Sequence, residues 1–441
     1  MIFISLILFQ LLYVVNELTC INISKILYVI FKEALNTMIQ GKAILVVDMG
    51  NSSTKCKVKF GKDATTGKYR ERDFELSNSF SFIDSGYEVS SDYNDDTSTI
   101  LDVDTVVNER ELKGHVCNGE LQLKEFPLRA MKPTANQKKY ESRETALSIR
   151  LAFLRAYREL LAMNRQTDIS QVHVTWDVIT LLPPGDIAVG ADKMKSLIKN
   201  VTRITSVFPV VDVEVNIQNI AVLPEGFCAY AGTVYDNGMV IRPDYKFLTE
   251  ETIIVFDIGA GTTDCLIIRD NKLIQNSKYT VNYGGNNVFA NVKKAVQLKG
   301  LDIDEEDLRK GIIHGYIKDG AKKISIVDDV NSAKRVVAEN IIHDFQVHLD
   351  TLDIKTRSIG YVLVCGGGSM QDSDCTDIIP LSKQIVDNFK LYSPNCELIE
   401  IPTHVVSKEG EDGTATRVEE KISPRELNLI GASILAEKIA V

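Results

Sequence analysis

Two segments of the sequence each end an apolar run on an aspartate and place a glycine two residues later. The first is AILVVDMGNSSTK at positions 43–55, and the second is IIVFDIGAGTTD at positions 253–264. Runs of β-branched apolar residues are typical of buried strands. The glycines that follow allow a tight turn and let backbone N–H groups approach an anion. We therefore expect Asp48 and Asp257 to lie at strand ends, each beside a loop that can bind phosphate and its metal ion.

The residues around these loops have competing interpretations. An acid that closes a buried strand is costly unless it has a partner, which favours a functional role for both aspartates. Lys55 can offer its ammonium to phosphate as a point charge. It also alternates with Lys57 and Lys59, which is equally typical of a solvated strand face. The triple glycine Gly366–Gly368 can form a flat surface for a ligand or a plain strand-to-helix turn.

Five segments of this kind recur in a set order along the chain. They are Asp48–Lys55, Leu223–Ala229, Asp257–Asp264, Val364–Ser369 and Asn428–Ala432. Their order and spacing resemble the actin-like ATPase superfamily, in which they correspond to phosphate 1, connect 1, phosphate 2, adenosine and connect 2. The resemblance covers the chain from Ala43 to its C-terminus. It implies an α/β, two-lobed actin-like fold (ribonuclease H-like and duplicated) with a nucleotide in the cleft between the lobes.

The resemblance also implies an ATPase that uses ATP and Mg²⁺, with GTP as a second nucleotide. It assigns catalysis to Glu225 and Asp257, with Glu225 orienting the attacking water, and Mg²⁺ to Asp48 and Asp257 through bound waters. Glu225 can alternatively be a helix-start carboxylate that the helix dipole stabilises. Asp264 completes the second loop. The implied nucleotide and phosphate contacts are Asp48, Gly50, Asn51, Ser52, Ser53, Thr54, Lys55, Gly259, Ala260, Gly261, Thr262, Thr263, Gly284, Gly285, Gly366, Gly367, Gly368 and Ser369.

The elements that must position these residues alternate between strands and helices, which predicts α/β layers. Apolar periodicity predicts strands at 172–182, 361–365 and 397–401. It predicts helices at 142–163, 308–323, 331–352, 378–392 and 423–439, with another opening at Gly284-Gly285. An Asn-Gly pair at 118–119 predicts a hairpin turn inside 109–128.

We expect an actin-like domain I at 38–225, a domain II at 226–425, and a C-terminal helix at 426–441 that returns to domain I. Residues 1–37 form an uncertain N-terminal extension. It begins with an apolar stretch that is too short for a confident transmembrane helix and lacks the charged start of a signal peptide. Three interpretations stay open: a start assigned upstream of the true start at Met38, a helix packed on the domain, or a helix on a membrane surface.

Composition and charge restrict the class of function. The 441 residues include 50 basic and 60 acidic side chains, which gives a net charge of -10. This balance disfavours direct binding to nucleic acid or anionic lipid. The eight cysteines form no CxxC pair, and the six histidines are scattered. We therefore expect a reducing cytoplasm and neither a disulfide framework nor a zinc site.

Short segments resemble the plasmid-segregation ParM (StbA/Alp-type) branch of the superfamily, namely Val178–Pro183, Tyr316–Lys318, Lys323–Val327 and Asn428–Gly431. This implies a cytoplasmic protein that polymerises head to tail with ATP and moves plasmid DNA through a ParR-like centromere-binding adaptor, touching DNA only indirectly. Heat-shock ATPases are disfavoured, because they carry a long tail after the last motif. Two alternatives stay open: a membrane-associated MreB/FtsA-type cytoskeletal protein, and a non-polymerising sugar or acetate kinase-like phosphotransferase.

Overall fold

The computed structural model of the chain describes residues 38–50, 53–90, 92–94, 97–132, 137–352, 354–369, 374–409 and 415–439. The N-terminal extension at 1–37 and the expected site residues Asn51 and Ser52 lie outside the described residues. Among the residues that are described, no helix has both the length and the apolar character that a membrane crossing requires.

Strands and helices alternate along the described chain. The strands of the first half are β1 (Ile39–Met49), β2 (Ser53–Lys62), β3 (Tyr69–Ser77), β4 (Phe80–Ile83), β5 (Ser98–Val107), β6 (Arg110–Gly119), β7 (Val172–Leu182), β8 (Arg203–Phe208), β9 (Val210–Glu214) and β10 (Asn216–Pro224). Those of the second half are β11 (Thr252–Ile258), β12 (Thr263–Arg269), β13 (Lys272–Leu273), β14 (Tyr279–Val281), β15 (Tyr316–Asp319), β16 (Lys322–Ser325), β17 (Tyr361–Cys365), β18 (Glu397–Leu398), β19 (Thr403–Glu409) and β20 (Ala415–Lys421). The α-helices are α1 (Glu120–Glu125), α2 (Arg143–Met163), α3 (Ile187–Lys199), α4 (Phe227–Val234), α5 (Gly285–Leu298), α6 (Glu305–His314), α7 (Val327–Thr351), α8 (Leu381–Phe389) and α9 (Leu427–Ile439).

The first lobe is built on a sheet with the strand order β10-β7-β1-β2-β3. Strand β1 is buried on both faces, and its side chains alternate between two helices. Leu45 and Val47 share a core with α2, whereas Ile44 and Val46 share a core with α9. Strand β1 pairs antiparallel with β2 and parallel with β7. This pairing turns the sharp β1–β2 hairpin toward the centre of the molecule.

The second lobe repeats the scheme of the first. Its main sheet has the order β13-β12-β11-β17-β18, and β14 also pairs with β12. Strand β11 pairs antiparallel with β12 and parallel with β17, as β1 does with β2 and β7. Ile254 and Phe256 pack toward α5 and α7, while Ile253 and Val255 pack toward α4. The α/β class and the two-lobed, duplicated fold that the five motifs implied are thus confirmed.

Helices α4 and α9 pack together between the two main sheets. Their contact is very close, because a Cβ added to Gly431 would lie 1.7 Å from the Cys228 carbonyl oxygen. Helix α9 also contacts β1 and β7 of the first lobe. The division into domains at 225 and 425, with a C-terminal helix that returns to domain I, stays a prediction.

Several local predictions were wrong. The chain does not turn as a hairpin at 117–119; β5 and β6 instead form a hairpin that turns at Asn108-Glu109, whose φ angles of 48° and 63° suit a two-residue turn. Gly119 instead ends β6 with a φ of 80°, where an added Cβ would lie 2.0 Å from the Thr97 carbonyl oxygen. The positive φ and this close approach explain why glycine stands at that strand-to-helix turn.

The helix predicted at 308–323 ends early. Gly315 closes α6 in the left-handed conformation with a φ of 77°, and the chain continues as the β15–β16 hairpin. Helix α8 begins after Pro380 and is shorter than the predicted 378–392, and α9 begins at Leu427 rather than at 423. In the predicted strand at 397–401, only Glu397–Leu398 forms a strand. The β19–β20 hairpin was not predicted from the sequence.

Candidate functional site

The two Asp–x–Gly hairpins face each other across a cleft of about 780 Å³ that both lobes line. They share one hydrogen bond: the Gly50 N–H donates to the Ser53 carbonyl oxygen at 2.9 Å, and the Gly259 N–H donates to the Thr262 carbonyl oxygen at 2.8 Å. Asp48 and Asp257 each precede the last residue of their strand, β1 and β11, and both are buried. The volume lies within the range of small-molecule and cofactor sites.

Lys55 lies on the first-lobe wall of the cleft. Its ammonium is 3.4 Å from an Asp48 carboxylate oxygen and donates to the Arg425 carbonyl oxygen at 2.9 Å. The side chain is only 15% exposed. The interpretation of Lys55 as a solvated strand residue is therefore wrong.

Asn428 of α9 connects the second hairpin to α4. Its side-chain N–H₂ donates to the Asp257 carboxylate. Its side-chain oxygen accepts hydrogen bonds from the backbone N–H groups of Gly226 at 2.9 Å and Ala229 at 3.1 Å. The sequence marked Asn428 as part of a motif without assigning it a role. In the structure it positions one of the two strand-end carboxylates.

Glu225 reaches the cleft from the segment just before α4. One carboxylate oxygen lies 2.5 Å from the Lys139 ammonium, and both side chains are mostly buried. The N-cap of α4 is Gly226, which has no side chain, and the Asn428 side-chain oxygen caps this helix end instead. Glu225 therefore faces the cleft with an ion-pair partner instead of capping the helix. Sequence reasoning missed Lys139, which lies in a short 3₁₀ turn (Lys139–Glu141) without any periodic signal.

Four buried carboxylates, those of Asp48, Glu225, Asp257 and Asp264, converge on the cleft. Burial raises the pKa of Glu225 to about 8, although the Lys139 ammonium opposes this. Burial likewise raises the pKa of Asp264 to about 7, against a hydrogen bond from Thr280, and raises the pKa of Asp257. These carboxylates bring several oxygen ligands together in the cleft, where their negative charge would strongly stabilise a bound cation.

The triple glycine packs directly against the second hairpin. Gly366 has a φ of 86°, and a Cβ there would lie 2.4 Å from an Asp257 carboxylate oxygen. A Cβ on Gly368 would lie 2.1 Å from the Gly259 carbonyl oxygen, and one on Gly284 would lie 2.7 Å from that same atom. These glycines let three backbone segments meet at the cleft floor.

Most of the expected site residues line the cleft. They are Asp48, Gly50, Ser53, Lys55, Glu225, Asp257, Gly259, Ala260, Thr262, Asp264, Gly285, Gly366, Gly367 and Gly368. Thr54 and Thr263 do not, because successive strand residues point to opposite faces. Their hydroxyls bond Asn78 at 2.7 Å and the Tyr283 carbonyl oxygen at 2.7 Å. Gly261 and Gly284 lie beside the cleft without lining it.

A second cavity of about 320 Å³ adjoins the cleft, and the two share Arg309, Gly366, Gly367 and Arg425. Ser369, the remaining expected contact, lines this second cavity. The Arg309 guanidinium lies 4.3 Å from the centre of the Phe289 ring, and Lys334 also lines the wall. Burial lowers the pKa of Lys334 to about 8. These helix residues were missed, because nothing in their local sequence separates them from ordinary amphipathic positions.

Comparison with known proteins identifies one matching family model and several similar folds. Residues 255–373 match a family model described as the C-terminal domain of the MreB-like archaeal actin homologue. A comparison with curated proteins gave no match.

Three solved structures illustrate the similarity in fold. One is the archaeal actin homologue Ta0583 in complex with ADP (14% identity, 90% of this chain and 99% of that chain covered, TM-score 0.54). Another is ParM from Clostridium botulinum, solved as a 15-stranded filament (18% identity, 90% and 99% covered, TM-score 0.53). The third is Bacillus thuringiensis ParM with AMPPNP (12% identity, 90% and 99% covered, TM-score 0.52). At these identities the likeness shows the fold, and the resemblance to actin-like proteins is confirmed at that level.

Proposed function

We propose that the chain is an actin-like ATPase that binds ATP with Mg²⁺ in the cleft and polymerises. The observation that carries the proposal is the convergence of two Asp–x–Gly hairpins, four buried carboxylates and Lys55 on one cleft between two duplicated lobes. The neighbours solved with ADP and with AMPPNP, an ATP analogue, support an adenine nucleotide as the ligand.

Different cleft residues bind different parts of ATP. The Gly50 and Gly259 turns offer backbone N–H groups to the phosphates from opposite lobes. Lys55 places its ammonium on the phosphates, and the triple glycine provides a surface for the adenosine. We assign the base and ribose to the adjoining cavity, where Arg309 and Phe289 present a flat cationic and aromatic wall.

The residues of the cleft fit Mg²⁺. This ion prefers oxygen ligands and keeps several of its waters. Among the described residues no group of three or more His, Cys, Asp or Glu side chains could hold a metal ion by itself. We propose that Asp48 and Asp257 would hold the ion through bound waters, which Mg²⁺ retains. Bound Mg²⁺ would neutralise negative charge on the phosphates of ATP.

Hydrolysis needs an oriented water more than covalent chemistry. Glu225 lies at the cleft and can accept a proton from that water as general base. The water oxygen then bonds to the terminal phosphorus while the bond from that phosphorus to the β-phosphate bridging oxygen breaks. The products are ADP and inorganic phosphate, and the proton passes from Glu225 to the phosphate.

The proposal extends to a role in the cell. A surface that repeatedly binds a different surface on the next copy generates an open filament. A filament that is stable with ATP and weakened after hydrolysis can move a cargo. We propose that the cargo is plasmid DNA, held by a ParR-like adaptor in the cytoplasm, because the net charge of -10 disfavours direct contact with DNA. The similarity to the C. botulinum ParM filament supports self-assembly.

Light scattering and phosphate release, measured together, test the proposal. We expect scattering to rise only with ATP and Mg²⁺, above a threshold protein concentration, with phosphate release following. No ATP-dependent rise at any concentration would overturn polymerisation, and phosphorylation of an added sugar or acetate would indicate a kinase instead. Flotation of the full chain with liposomes, but not of a chain starting at Met38, would favour a membrane-associated protein. A neighbouring gene for a small DNA-binding adaptor would support plasmid segregation.

A further inference from the structure

The ion pair between Lys139 and Glu225 joins two segments that are remote in sequence. Lys139 belongs to the turn that precedes α2, whereas Glu225 precedes α4. Their charged atoms are 2.5 Å apart, and the side chains are 19% and 10% exposed. Although burial opposes its charge, the carboxylates of Glu225 and Asp48 keep the pKa of Lys139 raised. Lys139 is therefore a charged ammonium held at the wall of a cleft that we propose binds phosphates.

The backbone around Lys139 is firmly anchored. Tyr140 is buried against Gly190 of α3, where an added Cβ would lie 2.3 Å from the Tyr140 ring. Lys138 pairs with Asp186 at 2.7 Å, whereas the pair of Glu141 with Lys193 at 2.6 Å is exposed and adds little to this anchoring. The side chain of Lys139 can therefore change partners by rotating about its own bonds, without any movement of the turn. A lysine has a flexible four-carbon stem that suits this role.

The two lysines of the cleft differ in how they are held. The Lys55 ammonium donates to the backbone carbonyl oxygen of Arg425 and also lies near Asp48. We therefore expect it to stay at this position on the cleft wall whether or not a phosphate is bound. Among the described residues the Lys139 ammonium has one hydrogen-bond partner, which is Glu225, the residue proposed to orient water. A doubly charged terminal phosphate would attract the ammonium more strongly than one carboxylate does.

We propose that Lys139 senses the terminal phosphate of the bound nucleotide. It pairs with Glu225 when that phosphate is absent and binds the phosphate when it is present. The exchange releases the Glu225 carboxylate to orient water only when there is a phosphate to hydrolyse. Lys139 acts on Glu225 as a positioning residue. This inference rests on the proposed function, because it requires that the cleft binds an adenine nucleotide.

The test compares dissociation constants for AMPPNP and ADP by calorimetry in the presence of Mg²⁺. Because only AMPPNP carries the terminal phosphate, Lys139→Met should lower the preference for AMPPNP over ADP about tenfold, or about 1.4 kcal/mol. Lys139→Arg should retain most of the preference. The matched control is Lys193→Met, which removes an ion pair from the same turn outside the cleft and should leave the preference unchanged.

Lys139→Met leaves the buried Glu225 carboxylate unpaired, which by itself can change nucleotide affinity. A second comparison removes this effect. Glu225→Gln and the double variant K139M/E225Q differ only at Lys139 and contain no unpaired carboxylate at this position. The double variant should again lose about tenfold in preference relative to Glu225→Gln. Equal weakening of both nucleotides, or no change, would overturn the inference while leaving the ATPase proposal intact. If the unmodified chain binds neither nucleotide, the proposed function fails and the inference fails with it.

Discussion

Lys55, Lys57 and Lys59 share one face of β2, and each ammonium is paired with a carboxylate; Lys57 and Lys59 both contact Glu71. Lys55 lies near Asp48 in the cleft, Lys57 pairs with Asp73 of β3 at 2.8 Å, and Lys59 pairs with Glu437 of α9 at 2.7 Å. An alternating charged strand usually indicates a solvated face. Here the face is covered by α9 and by acidic neighbours, so the lysines join β2 to the rest of the lobe, and one of them reaches the ligand cleft.

At the same scale, Glu225 offers the most direct test of hydrolysis. Glu225→Gln keeps the size of the side chain but removes its ability to accept the water proton. We expect phosphate release to fall by about 10² or more, which is the usual contribution of a general base. ATP-dependent assembly should persist, because Glu225 is proposed to act after the nucleotide is bound. Phosphate release and light scattering from the same samples check both expectations.

Glu141→Gln is the control for this prediction, since Glu141 is an acid on the turn that carries Lys139 and pairs with Lys193. It should leave phosphate release unchanged. If Glu225→Gln hydrolyses ATP as fast as the unmodified chain, Glu225 has no part in the mechanism.

At the scale of elements, the contact between α4 and α9 joins the two lobes. Gly232 and Gly431 face each other there, and an added Cβ on Gly232 would lie 2.7 Å from the Leu427 carbonyl oxygen. Backbone atoms form both sides of this contact and cannot move aside as a flexible side chain can. Close helix packing at small residues therefore fixes the distance between α4, which follows Glu225, and α9, which carries Asn428.

We expect Gly431→Ala to destabilise the protein by about 3 kcal/mol, because the new methyl group overlaps the Cys228 carbonyl and must displace α9. Urea unfolding monitored by circular dichroism measures the change. Gly86→Ala is the control, since an added Cβ there meets nothing within 4 Å. Equal stability of the two variants would show that the α4–α9 contact is looser than the structure indicates.

Sequence patterns predicted the elements that carry the site better than those that surround it. Strands β7 and β17 lie at the predicted bounds, because their apolar runs are buried on both faces and nothing competes with that signal. The turn at Asn118-Gly119 was misassigned, because a positive φ is needed equally in a hairpin and in a strand-to-helix turn. Lys139 and Arg309 could not be found from sequence, since only the assembled fold brings them to the cleft.

At the scale of the whole molecule, the cleft takes its charged groups from both lobes. Asp48 and Lys55 belong to the first lobe, and Asp257 and Asp264 belong to the second. A ligand that contacts both hairpins links the lobes, so its binding energy stabilises the molecule as a unit. Helices α4 and α9 and the hydrogen bonds of Asn428 also join the lobes.

We therefore expect AMPPNP with Mg²⁺ to protect both hairpins from hydrogen exchange together, although they are distant in sequence. At a ligand concentration about 100 times the dissociation constant, the gain in unfolding free energy should be about 2.7 kcal/mol. Mass spectrometry of β1–β2 and β11–β12 peptides measures the protection, and thermal unfolding measures the gain. Removing Mg²⁺ with EDTA should reduce both effects, because the four carboxylates would then repel the phosphates. Protection of only one hairpin would contradict a nucleotide held between the lobes and would place the ligand on a single lobe.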